Sequence, residues 1–111
     1  MKIPFDAEIA REKITKYLLT KRDESDKSLY LTTAGYTIDE YEQLVEDLRN
    51  QILLFDATLI ELTEFGDKYE INGVLKSPSG KELSIKTIWM KEHATEKWKF
   101  ITLFPVRRRG E

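Results

Sequence analysis

Glu61, Glu70, Asn72, Lys86 and Lys99 are the side chains in this sequence best suited to acid–base chemistry on a phosphodiester. Cleaving RNA without a metal needs a base for the 2′-hydroxyl, an acid for the leaving oxygen and cations for the phosphorane charge, and Glu with Lys can supply these. All five lie in segments of alternating polarity, which sets them on one face of a sheet. Glu61 falls beside Asn72, Asn72 beside Lys86, and Glu70 and Lys99 lie one row away. Glu61 or Glu70 is the candidate base, with Lys86 and Lys99 as cations. Cross-strand Glu–Lys pairs are equally what a solvent-facing sheet carries, each contributing under about 1 kcal/mol.

Other candidates are fewer. Tyr69 and Trp89 fall in one row with Glu64 at the sheet's edge, where the aromatic pair could stack an RNA base or simply close the core. Thr87 and Thr102 share that face among apolar neighbours, so each hydroxyl needs a partner. His93 is the single histidine, placed in a loop as a solvated side chain. With one His and no Cys, a zinc site would depend on carboxylates, and no metal or other cofactor is expected. Ser79-Gly80-Lys81 lacks the upstream Gly of a phosphate-cradling loop and sits in a hairpin, which argues against nucleotide hydrolysis.

What positions these residues is a run of four strands from Leu59 to Pro105. In Ser77-Pro78-Ser79-Gly80, Pro presets φ for a type I turn and Gly takes φ > 0 after it, closing a three-residue hairpin. Its register sets Leu75 opposite Leu83, Gly73 opposite Ile85, Ile71 opposite Thr87 and Tyr69 opposite Trp89. Gly66-Asp67 reads as a two-residue turn pairing Leu62 with Ile71 and Ile60 with Gly73. The last hairpin is read with Trp89 opposite Trp98 and Thr87 opposite Phe100. The apolar face then comprises Ile60, Leu62, Tyr69, Ile71, Leu75, Leu83, Ile85, Trp89, Trp98, Phe100 and Phe104.

Three helices are expected to cover it. The first spans residues 7–19 with Asp6 as N-cap, and the second runs from about Lys27 to Ala34 and stops at Gly35. The third opens on a capping box of Thr37 and Glu40, with Tyr36 and Tyr41 as a staple, and carries the stripe Ile38, Tyr41, Leu44, Val45, Leu48, Ile52. The fold class is α+β: N-terminal helices packed on one face of a four-stranded antiparallel meander.

The 111 residues suit one domain, 1–106, with 107–111 as a basic tail around Arg107, Arg108 and Arg109. The absence of Cys, of a signal-like apolar run near Met1 and of any long apolar stretch favours a soluble, cytoplasmic setting with no membrane partner. Residues 1–56 carry 8 basic and 12 acidic side chains, and residues 57–111 carry 10 and 8, so the helical part is −4 and the sheet part +2. This leans weakly toward a polyanion on the sheet side.

Lys16-Tyr17-Leu18-Leu19, Lys27 followed by Gly35-Tyr36, Tyr69-Glu70-Ile71-Asn72-Gly73 after Gly66, Gly80, Thr87-Ile88-Trp89, and Ile101-Thr102 with Pro105 together make the chain resemble a family of small, uncharacterised bacterial proteins catalogued as a domain of unknown function. The resemblance implies roles for Lys27, a cation for an RNA phosphate, and for Lys99, where relatives tend to carry Arg. It departs at Asp26, where relatives often have His. Helices followed by an antiparallel sheet are also similar in architecture to the barnase, colicin and RelE-like toxin ribonucleases, an analogy of fold. Two functions are carried forward: an RNA-binding protein or metal-independent ribonuclease of a bacterial toxin-like system, and a non-enzymatic protein–protein interaction module, the partner or immunity-type component, whose partner is encoded nearby.

Overall fold

The structure is a computed structural model and describes residues 1–19 and 28–106. A π-helical segment, Lys13–Leu18, is followed by helices α1 (Ser28–Thr33) and α2 (Tyr41–Gln51), a 3₁₀ turn (Ile52–Leu54), and strands β1 (Thr58–Leu62), β2 (Gly66–Lys76), β3 (Glu82–Glu92) and β4 (Trp98–Pro105). The strands form one antiparallel sheet in the order β1-β2-β3-β4. The fold is α+β, as the sequence predicts.

The central hairpin has the expected register throughout: Leu75 faces Leu83, Gly73 faces Ile85, Ile71 faces Thr87 and Tyr69 faces Trp89. Gly80 takes φ 87°, and the Ser77 N–H donates to the Lys81 carbonyl at 2.9 Å. The Ser79 N–H in turn donates to the Ala34 carbonyl, docking the turn on the end of α1. That helix stops as expected at Gly35 (φ 101°). The Gly35 and Tyr36 N–H groups return to the Thr32 and Leu31 carbonyls, a Schellman closure that buries both Leu31 and Tyr36.

The outer hairpins differ from expectation. Gly66 is not in a turn; it opens β2, because Thr63 closes the loop instead, its hydroxyl accepting from the Phe65 and Gly66 N–H groups while its own N–H donates to the Gly66 carbonyl. Leu62 therefore faces Asp67, Glu61 faces Lys68, and a bulge at Ile60 precedes Leu59 opposite Tyr69. Strand β1 then covers only the Asp67–Glu70 end of β2, beyond the helices, and Ile60 and Leu62 are exposed rather than in the core. In β4, Ile88 faces Thr102 while Trp89 faces Phe100, so Ile101 is the extra residue of a bulge. Trp98 and Phe100 stay in the core, but beyond the bulge the faces swap: Leu103 is buried and Phe104 exposed.

Helical starts move too. Residues 7 and 8 are not helical, because the Glu8 N–H donates to the Trp98 carbonyl and the Glu8 carbonyl accepts from Phe100, bridging the N-terminal segment to β4. Helix α2 begins at Tyr41, although Thr37 Oγ1 does accept the Glu40 N–H at 3.2 Å, closing the preceding turn and leaving Ile38 exposed. Leu44, Leu48 and Ile52 join Ile71, Leu75, Ile85, Trp89, Phe100 and Leu103 in one core. There the Tyr36 hydroxyl donates to Asp47 at 2.6 Å; burial first, then that bond and its negative charge, raises the phenol well above its ordinary range and keeps it protonated.

Candidate functional site

The face of the sheet away from the helices carries the chemistry. Rows across it read Glu61–Lys68–Met90–Lys99, then Glu70–Ile88–Thr102, then Asn72–Lys86–Phe104. Because β2 and β3 hold the register their turn dictates, Glu70, Asn72 and Lys86 converge. Asn72 Nδ2 donates to Glu70 Oε1 at 3.3 Å, and Lys86 Nζ lies 3.6 Å from Glu70 Oε2. The Glu70 side chain is 23% exposed and that of Lys86 42%, so a carboxylate, an amide and an ammonium share one accessible spot.

The other candidates fall elsewhere. Glu61 pairs with Lys68 at 3.6 Å instead of lying beside Asn72. Lys99 donates to Glu92 Oε2 at 2.9 Å, and Glu92 also accepts from Thr95; the bond from Lys99 leads in holding that carboxyl below its usual range. The sequence reading missed Glu92 and Lys68 as partners because both depend on the outer registers. Trp89 is 0% exposed: its Nε1–H donates to Thr87 Oγ1 at 2.7 Å, Thr87 donates to the Ile71 carbonyl, and Phe100 meets its ring edge-on at 5.2 Å. The stacking role considered for Trp89 is thereby corrected to core packing, because no ring face is open to a base. Tyr69 is half-buried against Trp98, with ring centroids 4.9 Å apart. Lys27 and the arginines at 107–109 lie outside the described residues.

His93 is exposed yet fully bonded. Its Nε2 lies 2.9 Å from Asp67 Oδ1 and its Nδ1 3.2 Å from the Glu64 carbonyl, while its N–H donates to Phe65, so it ties the β3–β4 loop to the β1–β2 loop. The Asp67 carboxylate, helped by the Glu64 carbonyl, raises the imidazole above its ordinary range. Among the described residues no group of three His, Asp or Glu is placed to hold a metal ion, and no helix is long and apolar enough to cross a membrane.

Electrostatically the open face is balanced: Glu61, Glu70 and Glu92 each stand against one Lys. At these exposures solvent screens each pair, and the strength of the pairing differs. Lys99 is committed to Glu92 at hydrogen-bond distance, whereas Lys86, at 3.6 Å, is free to turn to another anion.

No curated protein and no solved structure matches the chain. The model of one family does match, over residues 5–107, nearly the full length of the sequence. This chain therefore belongs to the family described as a domain of unknown function, DUF6883.

Proposed function

We propose that this domain acts on RNA through the open face of its sheet, with Glu70 as the base for a 2′-hydroxyl and Lys86 as the cation for the phosphorane oxygens. The observation that supports it is the convergence of Glu70, Asn72 and Lys86 within 3.3–3.6 Å on an accessible surface. In this reading Asn72 positions the carboxylate, Glu70 takes the 2′-hydroxyl proton, and the 2′-oxygen attacks phosphorus as the P–O5′ bond breaks. Lys86 leaves its loose ion pair to meet the phosphorane charge, and the departing 5′-oxygen is protonated by the acid that Glu70 has become. Helices followed by an antiparallel sheet are also the architecture of the barnase, colicin and RelE-like ribonucleases, a likeness of architecture only. Incubation with mixed RNA tests it: products ending in 2′,3′-cyclic phosphate are expected from the native chain and absent with Glu70→Gln.

A second reading has its own support. With Glu61, Glu70 and Glu92 of the open face each matched to a lysine, and a formal charge of −2 on the chain, the surface lacks the basic field that phosphate contacts need. This favours a non-enzymatic interaction module, the partner or immunity-type component of a toxin-like system. Expression in bacteria separates the two, since an active ribonuclease arrests growth and an interaction module does not.

A further inference from the structure

We propose that the free edge of β1 is a homodimer interface, where two copies join their sheets antiparallel about a two-fold axis. Among the described residues β1 has a strand partner on one side only, and every one of its residues is exposed. Sheet edges are ordinarily blunted by Lys, Pro, an inward charge or a covering segment. The opposite edge obeys that rule, since β4 is bridged by Glu8. Strand β1 does not: it reads Thr-Leu-Ile-Glu-Leu, and its single charge, Glu61, is tied across the strand to Lys68 of the same chain. The Thr63 N–H points inward to the Gly66 carbonyl, so by alternation the N–H and carbonyl of Leu62 point out, unclaimed by β2.

A second copy fits this edge because the apolar strip is complementary to itself. Exposed apolar residues run along the strand from Leu59 and Ile60 to Leu62 (70% exposed) and Phe65 (73% exposed), and Leu54 and Phe55 extend them beyond its start, past the exposed ion cluster of Asp56 with Lys2 and the Met1 ammonium. Setting Leu59 opposite the second copy's Leu62 keeps both on the helix side of the sheet and places Glu61 across from Ile60, so that no Glu directly opposes a Glu. The same register carries Phe65 toward the second copy's Phe55, so the ends of the strip cover each other, as an isologous contact requires. Fully covered, the six residues would bury on the order of 600 Å² per copy, the low end of specific interfaces, whereas a single extended peptide would cover only the five-residue strand. The proposal is independent of any activity on RNA.

Sedimentation velocity over a concentration series tests it. The native chain is expected to form a dimer that Leu62→Lys weakens by about tenfold or more, and an equal urea midpoint at a concentration where both chains are monomeric shows that the exposed substitution leaves the fold intact. The absence of cysteine permits a sharper test: a mixture of the single variants Leu59→Cys and Leu62→Cys is expected to form an intermolecular disulfide on oxidation, and neither variant alone. A chain that stays monomeric at every concentration overturns the proposal, as does a dimer indifferent to Leu62→Lys or one that fails to cross-link in the mixture.

Discussion

Gly66 is a glycine for want of room. A Cβ there would sit 2.5 Å from the Lys91 carbonyl oxygen and 2.7 Å from Met90 Cγ, so β3 approaches this point closer than any side chain allows. Gly80 is the opposite case, with open space around it but a φ of 87°. Gly66→Ala is accordingly expected to cost about 2–3 kcal/mol through overpacking, and Gly80→Ala about 1 kcal/mol through left-handed backbone strain; urea unfolding of both variants checks the order. His93 is expected to give pH-dependent stability. Its imidazole is raised in the folded state, so the stabilisation is complete below the unfolded pKa of about 6.5 and is lost as pH rises through the higher folded value. As the chain has one histidine, its imidazole NMR signal can be followed without overlap, and a midpoint at or below about 6.5 would show that Asp67 does not hold the ring.

At the scale of elements, what could be read from the sequence depended on whether a turn's own residues dictate it. Pro78 and Gly80 set the β2–β3 register chemically, so Glu70, Asn72 and Lys86, all on those two strands, come together as read. The bulges at Ile60 and Ile101 have no such local signal. They arise where Thr63 takes over the turn and where β4 must meet both β3 and the N-terminal segment, and both are tertiary outcomes. Hence the candidates on β1 and β4, Glu61 and Lys99, have partners that periodicity did not reveal, and Phe104 and Leu103 exchanged faces. The early start read for α2 failed similarly, because a capping hydrogen bond can close a turn without beginning a helix. One contact here invites a test: beyond β1, the Gln51 side chain stands in for a strand, donating to the Lys76 carbonyl at 3.0 Å and accepting its N–H at 2.7 Å. Gln51→Ala is expected to lower stability by about 1 kcal/mol, since both groups lie where water replaces the bonds, and to speed amide exchange at Lys76 specifically.

For the molecule as a whole, the charge pattern decides what any RNA encounter would look like. A strongly basic binder loses affinity steeply with salt, by close to one released counterion per phosphate neutralised. Here Glu61, Glu70 and Glu92 are each matched to a lysine, and Lys86 is held more loosely than Lys99. If the open face engages RNA, binding is expected to be weak and its slope shallow, about one or two phosphates. The lysines should also be unequal. Lys86→Glu should abolish most of the affinity, because it removes the available cation and places a like charge beside Glu70, whereas Lys99→Glu should do little to binding and mainly disrupt the pair with Glu92. Filter binding at low and moderate salt with native chain and both variants measures this. Equal losses would mean that RNA reads the face by charge alone, and affinity untouched by Lys86→Glu would take the site away from the Glu70–Asn72–Lys86 cluster altogether.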